Sequence, residues 1–535
     1  MEPAPGDGGS RAGKDGARGG RAGSVADAMA CVIAIDAGTT GVRALAVDET
    51  ARVVDVSYRE ITQYYPRPGW VEHDAAEIWR NVGRVVPAAL RSAGLGPQNI
   101  VCLGIANQRE TVVAWDRSNG EVRHRAIVWQ DRRTAPRCDE LRDAGHLPFV
   151  RSRTGLVLDP YFSATKMAWL LRDGGVASDA NLVLGTVDAW VIWNLTGGTE
   201  GGTVVTDPTN ASRTLLYDIE ARQWSAELAE IFGVPMTVLP TVAPSCGRIG
   251  VVGGSWAGGD SPLRAVPVSG VAGDQQAALF GQACFSPGMA KVTYGTGSFV
   301  LANVGAVCPT PTEGLLTTVA WDLGEHGGSS PVSYALEGAV FVTGAAVQWL
   351  RDGLGVIAEA AEIGPLAESV ASSEGVYVVP AFTGLGSPWW DPYARGTIVG
   401  LTRGIGVAHI ARAVVEAMAF QVRDVVDAMR QASHDVSALR VDGGASVMDL
   451  LLHLQADQIR SPVERPATSE TTAVGAAWLA GLAEGVWGSL DDLSARWARE
   501  RSFSPASSAV AADSAYAGWR RAVERSLDWA PHTAD

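Results

Sequence analysis

The sequence has no uninterrupted apolar run of about 18 residues, so we expect no membrane-spanning helix. It is also short of basic residues. The 43 Lys and Arg stand against 58 Asp and Glu, which gives a net charge of −15. Such an acidic surface repels nucleic-acid backbones and anionic membranes, so we expect neither as a partner. This charge still allows a small anion to bind in a local pocket of amides or basic side chains.

Cysteine is scarce, and no C-x-x-C pair occurs. Six cysteines in 535 residues argue against a disulfide framework. Their scattered positions are typical of buried free thiols in a reducing compartment, and we therefore expect a cytoplasmic protein. The six are Cys31, Cys102, Cys138, Cys246, Cys284 and Cys308.

Two common nucleotide-binding motifs are missing. Gly8, Gly13 and Lys14 have P-loop spacing, but Asp15 stands where Ser or Thr is needed, and no strand precedes them. No convincing G-x-G-x-x-G follows a predicted strand, so a Rossmann dinucleotide site is not expected.

The chain has enough apolar material for a large core. Hydrophobic residues form 47% of it and charged residues 19%, which excludes wholesale disorder. Residues 1–28 are the exception, because they are rich in Gly, Ala and Arg and lack an apolar segment. They predict a disordered extension, with Met29 as a second possible start. We expect α/β domains over 29–283 and 284–495 and a C-terminal helical tail over 496–535.

A strand–turn–strand pattern occurs twice. Val32–Ile35 and Val42–Val47 read as strands around a turn of Gly38, Thr39 and Thr40, and a third strand follows. Residues 288–305 repeat the pattern around another Gly/Thr turn. Two such turns across a cleft could hold a polyphosphate from both sides. The alternative is two ordinary hairpins.

Helical periodicity follows in each half, which together with the strands indicates α/β layers. Glycine inside the last predicted helix suggests close packing against a strand, and residues 281–288 read as the connection between domains. The predicted helices are Ala75–Leu90, Gly338–Arg351, Ala408–Ala432, Met448–Ile459 and Thr471–Leu482.

Arg109 and Glu110 follow the predicted strand Ile100–Ile105. At a strand end both side chains can enter one cleft, where a guanidinium donates to polyol hydroxyls and a carboxylate accepts from them. The alternative is a surface ion pair. Asp274 lies between a strand and a helix, which suits a general base for a hydroxyl nucleophile. The alternative for Asp274 is a helix N-cap.

Three aromatic residues, Trp129, Tyr161 and Phe299, could form the walls of a pocket, although aromatic side chains lie more often in a core. The Gly pair in Asp442–Ala445 follows a short predicted strand. It would let a ligand ring approach the backbone closely, or it is simply a turn before a helix.

Several motifs together resemble the FGGY carbohydrate kinases, and among them the members that phosphorylate glycerol. The resemblance runs in order from about residue 31 to about 487. It implies an α/β fold of two actin-like/RNase H-like domains with the catalytic site in the interdomain cleft. It also implies ATP:glycerol 3-phosphotransferase activity with Mg²⁺, in a homodimer or homotetramer. The motifs are DAGTTGVRA, NQRE, IVWQDRR, TGLVLDPYFSATK, GTVDAWVIWNLTGG, GVAGDQQAALFGQ, YGTGSF, YALEGAVFVTGAAVQWLRD, VYVVPAFTGLGSPWWDPYARG and VDGGA.

The resemblance also implies residue roles. Asp274 would be the general base, and Asp36 and Asp274 would lie near Mg²⁺. The implied glycerol site is formed by Arg109, Glu110, Trp129, Tyr161, Asp274, Gln275 and Phe299. The implied nucleotide site is formed by Thr39, Thr40, Gly41, Arg43, Thr296, Gly344, Gln348, Gly444 and Met448.

The chain departs from the family pattern in three places. Ala37, Gly41 and Val42 differ in the first turn, which usually reads DQGTTSSR, and Met448 replaces a frequent Asn. Residues 253–270 only loosely match the loop that binds fructose 1,6-bisphosphate in some members. From the lost hydroxyl and amide we expect ATP affinity about tenfold weaker, and Gly41→Ser should then lower KM for ATP.

Two rival functions are considered. One is an FGGY kinase for another polyol or sugar, which the match at the polyol positions disfavours. The other is a non-catalytic, actin-like nucleotide-binding protein. Loss of Asp274 or Arg109 would be its signature, and both residues are present.

Overall fold

The computed structural model describes residues 29–254 and 263–531. The expected N-terminal extension lies outside these residues, as does part of the segment 253–270 that was compared with the fructose 1,6-bisphosphate loop. The strands of the first half are β1 (Cys31–Ala37), β2 (Gly41–Asp48), β3 (Val53–Glu60), β4 (Glu72–His73), β5 (Ile100–Asn107), β6 (Val112–Asp116), β7 (Val122–Ile127), β8 (Leu182–Thr186), β9 (Val205–Thr206), β10 (Tyr217–Asp218), β11 (Gln223–Trp224), β12 (Thr241–Val242), β13 (Cys246–Val251) and β14 (Pro267–Gly273). Its helices are α1 (Ala75–Ser92), α2 (Ala135–Asp143), α3 (Leu147–Thr154), α4 (Ser163–Arg172), α5 (Val187–Leu195), α6 (Pro208–Ala211), α7 (Ala226–Phe232) and α8 (Asp274–Gly281).

The second half is built from the same kinds of element. Its strands are β15 (Met289–Tyr294), β16 (Ser298–Gly305), β17 (Leu316–Asp322), β18 (Val332–Val340), β19 (Tyr377–Val379), β20 (Thr397–Val399), β21 (Ala438–Asp442), β22 (Val463–Pro466) and β23 (Arg499–Phe503). Its helices are α9 (Gly344–Gln348), α10 (Ile363–Glu368), α11 (Val407–Gln431), α12 (Asp449–Ile459), α13 (Thr471–Ala483), α14 (Leu490–Arg496) and α15 (Ala509–Val523).

Each half contains one large mixed sheet. The first has six strands in the order β13-β14-β5-β1-β2-β3, and the second has seven in the order β17-β18-β16-β15-β21-β22-β23. In both, an opening antiparallel hairpin (β1–β2, β15–β16) pairs in parallel with a later strand (β5, β21). The predicted pair of hairpins, the two related halves and the α/β class are therefore confirmed.

Helices α1, α11, α12 and α13 begin and end within two residues of the predicted positions. The helix predicted over Gly338–Arg351 is wrong at its start, because residues up to Val340 form the buried strand β18 and α9 begins only at Gly344. The expected helical tail is also wrong in part. It begins with strand β23, which pairs antiparallel with β22 at the edge of the second sheet.

Helix α13 joins the two halves. It packs against α8 and against strands β1, β5 and β14 of the first sheet. A Cβ on Gly475 would lie 1.8 Å from the Ala277 carbonyl oxygen, and one on Gly104 would lie 2.1 Å from that of Ala476. The glycine within the predicted helix therefore contacts another helix rather than a strand, and the strand contact is made by the glycine of β5.

A smaller sheet in the order β4-β7-β6-β8 lies beside the first large sheet. Among the described residues, no helix is both long and apolar enough to cross a membrane. All six cysteines are free; five are buried as expected, and Cys308 is half-buried.

Candidate active site

Three parallel strands of the first sheet end at the same edge. Ala37 of β1 and Gly273 of β14 both pair with Asn107 of β5. Asp36, Arg109 and Asp274 lie at or just beyond these ends. Ligands of open α/β sheets bind outside the carboxyl ends of the strands, so this edge is the first place to look for a site.

The backbone after β5 turns both charged side chains inward. Glu110 adopts a left-handed conformation, with φ of 61°. Arg109 is 3% exposed and Glu110 is 1% exposed, which rules out the alternative of a surface ion pair. Arg109 Nη2 donates to Tyr161 Oη at 3.1 Å, and Arg109 Nε lies 3.3 Å from Asp274 Oδ1. The structure thus brings four predicted residues together.

Two further buried residues complete a four-membered charge cluster, which we call the Arg/Glu square: Arg109, Glu110, Arg213 and Glu337. Glu337 Oε2 lies 2.5 Å from Arg109 Nη1, and its Oε1 accepts from Arg213 Nη2 at 2.9 Å. Arg213 Nε donates to Glu110 Oε1 at 2.7 Å. Because Glu337 belongs to β18, the square connects the second half to the first.

The pKa values of the two carboxylates of the square are shifted in opposite directions. Burial raises the pKa of Glu110 above its ordinary value, although both guanidiniums lower it. Burial acts on Glu337 in the same sense, but Arg109 and Arg213 outweigh it and hold the pKa at about 2. Glu337 is therefore the anionic anchor of the square.

Aromatic rings from both halves close the pocket. The ring centroids of Trp129 and Phe299 are 6.2 Å apart at 76°, and those of Trp129 and Tyr161 are 5.6 Å apart at 69°. Trp129 and Phe299 are half-buried rather than core residues. The pocket thus has apolar walls beside a polar floor.

Asp274 is the first residue of α8, and Gly273 occupies the N-cap position, so the N-cap alternative for Asp274 is not met. Burial raises the pKa of its carboxyl, which Arg109 and Lys291 partly offset. The neighbouring Gln275 accepts a hydrogen bond from the buried ammonium of Lys291, on β15 of the second half.

The first Gly/Thr turn carries Thr39, Thr40 and the nearby Arg43. Thr39 Oγ1 accepts a hydrogen bond from Trp129 Nε1 at 2.9 Å, so the turn adjoins the aromatic wall. Arg43 contacts Asp36 at 3.4 Å and Glu470, at the start of α13, at 2.8 Å.

The remaining predicted nucleotide positions lie on turns of the second half. The Gly344 and Ala345 amides donate to the carbonyls of Gly295 and Thr296, each at 3.0 Å, which joins two of the turns. Gly443, with φ of 84°, packs against the Tyr294 backbone and brings the third turn beside them. Thr296, Gln348 and Gly444 are exposed, whereas Met448 is half-buried against the second-half core.

The structure argues against a missing hydroxyl at Gly41. A Cβ there would lie 2.4 Å from Tyr58 Cε2 and 2.5 Å from the Arg59 carbonyl oxygen, toward β3. A serine side chain would collide with the sheet. Gly41 can therefore serve a ligand only through its backbone.

Gly41→Ser is accordingly expected to raise KM for ATP, the reverse of the expectation from sequence. Overpacking of this kind costs about 1–3 kcal/mol and would displace the adjoining turn. Initial rates at varied ATP check this. Gly488→Ser is a matched control, because nothing lies within 4 Å of that Cβ position. A lower KM in Gly41→Ser would contradict the steric argument.

Asp36 and Asp274 have the chemistry expected of a Mg²⁺ site. Burial raises the pKa of Asp36 to about 7; Arg43 opposes this, and the charges of Asp274 and Glu470 add to it. Because the charge of Asp274 raises the pKa of Asp36, a cation bound by both carboxylates would relieve that repulsion. No group of three or more His, Cys, Asp or Glu in the described ranges is arranged to hold a metal. Mg²⁺ nevertheless commonly binds through one or two carboxylates together with substrate phosphates.

Asp36→Asn is expected to stabilise the ligand-free protein at alkaline pH. The pKa of Asp36 is raised from 3.8 to about 7 on folding, so its contribution to stability is present below 3.8 and is lost as pH rises through 7. Asparagine does not titrate. Melting temperatures should therefore differ by a few degrees in favour of the variant near pH 8, and by less near pH 5. A variant less stable than wild type near pH 8 would contradict the assignment.

Comparison with known proteins gives consistent matches over nearly the whole chain. Residues 31–281 match the N-terminal domain of the FGGY family of carbohydrate kinases, and residues 290–484 match its C-terminal domain. A glycerol kinase of Dechloromonas aromatica (strain RCB) is 52% identical over 507 residues, which cover 94% of this chain and 98% of the relative. Glycerol kinase 2 of Thermotoga maritima is 49% identical, covering 94% and 99%.

A solved structure shows the same architecture. The crystal structure of Plasmodium falciparum glycerol kinase with ADP superposes with a TM-score of 0.86 at 34% identity, covering 93% of this chain and 98% of the other.

Proposed function

The chain belongs to the FGGY family of carbohydrate kinases, and from this premise we propose that it transfers the γ-phosphoryl group of ATP to glycerol, giving sn-glycerol 3-phosphate. The observation that carries the proposal is the position of Arg109. Its guanidinium is buried between Tyr161 and Asp274, at the edge where three parallel strands end. A polyol bound there would meet donors, acceptors and a carboxylate at once.

Glycerol binding follows from the chemistry of the pocket. Arg109 and Tyr161 donate to hydroxyl oxygens, and Glu110 and Gln275 accept from hydroxyl hydrogens. The rings of Trp129 and Phe299 cover the carbon chain. The two guanidiniums and two carboxylates of the Arg/Glu square have no net formal charge, which suits an uncharged substrate.

Phosphoryl transfer needs positioning and charge neutralisation more than covalent help. Asp274 lies at the pocket edge, and its raised pKa suits a group that accepts the proton of the attacking hydroxyl. Arg109 holds that carboxylate from one side. Closure of the two halves around the pocket excludes water, which limits wasteful hydrolysis of ATP.

The nucleotide would lie between the Gly/Thr turns of the two halves. Thr39, Thr40, the Gly41 backbone and Arg43 face the phosphates from the first half. Asp36 and Asp274 would hold Mg²⁺, which when bound neutralises phosphate charge. The second-half positions are Thr296, Gly344, Gln348, Gly444 and Met448.

Substrate choice is tested with a panel of polyols and sugars. At equal concentration we expect kcat/KM for glycerol to exceed that for xylulose, gluconate and ribitol by about tenfold or more, since larger substrates must displace the aromatic walls. The phosphorylated position is read by ³¹P NMR. Preference for a larger polyol would instead support the rival function within the family.

We also propose a cytoplasmic location and a homodimer or homotetramer. Five buried free thiols support the first, since they suit a reducing compartment. Family resemblance alone supports the second, and light scattering of the purified chain would give its mass.

A further inference from the structure

A buried histidine lies behind the first Gly/Thr turn. His73 ends the short strand β4 and is 0% exposed. Its Nε2 is 2.8 Å from Gln63 Oε1, and its Nδ1 is 3.3 Å from Gln108 Nε2. The imidazole thus lies between two glutamine amides, and neither glutamine is among the proposed glycerol or nucleotide residues.

The same two amides hold the backbone of the turn. Gln63 Nε2 donates to the Thr39 carbonyl at 2.9 Å, and Gln108 Nε2 donates to the Gly38 carbonyl at 3.0 Å. The Gly38 amide donates to the Gly41 carbonyl at 3.0 Å, so the donors of the turn that remain for a ligand are the amides and hydroxyls of Thr39 and Thr40. The orientation of the turn therefore depends on the orientation of the two glutamine amides.

The hydrogen-bond directions around His73 are mutually consistent. Gln63 uses its NH₂ group for the turn, so its oxygen must accept from His73 Nε2–H. Gln108 also uses its NH₂ group for the turn, so His73 Nδ1 must accept from it. Only the neutral imidazole with its proton on Nε2 satisfies both bonds. Burial lowers the pKa of His73 to about 4, so the ring stays neutral near pH 7.

The network continues to the aromatic wall and returns to the turn. Gln108 Oε1 accepts from Thr111 Oγ1 at 2.8 Å, and Thr111 Oγ1 accepts from the Trp129 amide at 3.2 Å. Trp129 Nε1 then donates to Thr39 Oγ1 at 2.9 Å. The phosphate-side turn and a wall of the glycerol pocket are thus joined through one closed set of hydrogen bonds.

We propose that His73 is a positioning residue for phosphoryl transfer, which orients the Gln63 and Gln108 amides so that the Gly38–Thr40 turn is held in its phosphate-binding shape. The inference rests on the proposed function, since it assigns this turn to ATP. A core histidine that only fills space would affect stability and would not change KM for ATP more than KM for glycerol. A positioning residue would change KM for ATP selectively.

The test compares His73→Leu with His73→Gln. Leucine fills the space but supplies neither bond, whereas glutamine can donate to Gln63 and accept from Gln108. We expect His73→Leu to raise KM for ATP and the Kd for ADP, the latter by calorimetry, by about tenfold, with KM for glycerol changed less than about threefold. His73→Gln should recover most of the ADP affinity.

Asn303→Leu is the matched control for a lost buried polar network. Asn303 is 1% exposed and makes two hydrogen bonds to backbone, to Cys284 O at 2.9 Å and from Gly305 N at 2.8 Å, on β16 of the second half. Asn303→Leu should lower the melting temperature without changing KM for ATP more than KM for glycerol. Equal changes in both KM values for His73→Leu, as in the control, would overturn the proposal.

Gln63→Leu gives a second route if His73→Leu does not fold. Gln63 is only half-buried, and Gln63→Leu removes the hydrogen bond to the Thr39 carbonyl that His73 is proposed to orient. The same selective loss of ADP affinity supports the proposal, and unchanged affinity overturns it. ADP binding is measured without glycerol. If the wild type failed to phosphorylate glycerol, the proposed function would be rejected, but the effect of the variants on the Kd for ADP would still test the role of His73.

Discussion

Asp274→Asn is expected to lower kcat by about 10²–10⁴-fold, the usual cost of losing a general base. The substitution keeps the shape of the side chain and removes its capacity to accept a proton. Arg109 remains in place through Glu337 and Tyr161, so glycerol should still bind. Steady-state rates give kcat, and quenching of tryptophan fluorescence by glycerol gives binding.

Asp188→Asn is the control for this change. Asp188 is a carboxylate of the first half that, like Asp274, has a pKa raised by burial. It is fully buried and accepts a hydrogen bond from Thr206 at 2.6 Å, whereas the Asp274 side chain is 28% exposed. Asp188 belongs to neither proposed site, so the rate of Asp188→Asn should stay close to wild type. Activity of Asp274→Asn within a few-fold of wild type would remove Asp274 from its role.

Glu337→Gln is expected to cost about 3–5 kcal/mol of stability, because it leaves the guanidiniums of Arg109 and Arg213 buried without their shared counter-charge. The melting temperature should fall by about 3–5 °C, because the entropy of unfolding is about 1 kcal/mol per degree for a chain of this size. The pKa of Glu337 is depressed from 4.5 to about 2, so its contribution is present above pH 4.5 and is lost as pH falls through 2. The difference in melting temperature between wild type and Glu337→Gln should therefore become smaller as the pH is lowered.

Glu140→Gln provides the matched comparison at the surface. Glu140 is 61% exposed and pairs with Arg137 at 2.9 Å, and such pairs contribute about 0–1 kcal/mol. If Glu337→Gln lowered the free energy of unfolding no more than Glu140→Gln does, the Arg/Glu square would not stabilise the contact between the two halves. KM for glycerol should also rise in Glu337→Gln alone, since Arg109 loses its bidentate partner.

Local pattern was sufficient to predict much of the fold. The opening hairpins were predictable because short apolar runs flank Gly/Thr turns, and α11 and α13 because apolar residues recur at helical spacing. Gly338 was misread because only three residues separate the end of strand β18 from a Gly-Ala-Ala segment that suits a helix. Burial of β18 in the second sheet, a tertiary effect, decided the outcome.

The site was predictable where its residues follow strand ends. Arg109 and Asp274 are found that way, and the resemblance supplied Trp129, Tyr161 and Phe299. Glu337, Arg213 and Lys291 were missed, because their partners are more than 15 residues away or on the other half. The one available signal was a charged residue within an apolar strand, as in YALEGAV, since a buried charge nearly always has a partner. The lack of room for a side chain at Gly41 is caused by strand β3, so it could not be predicted from the sequence of the turn alone.

The central claim is that this pocket and these turns bring glycerol and ATP together for phosphoryl transfer. The most direct measurement is ADP release by the purified protein with Mg²⁺ and ATP, with and without glycerol. The account predicts release that depends on glycerol, yields glycerol 3-phosphate in equal amount and is abolished by Asp274→Asn. Nucleotide binding with no glycerol-dependent ADP release would contradict it.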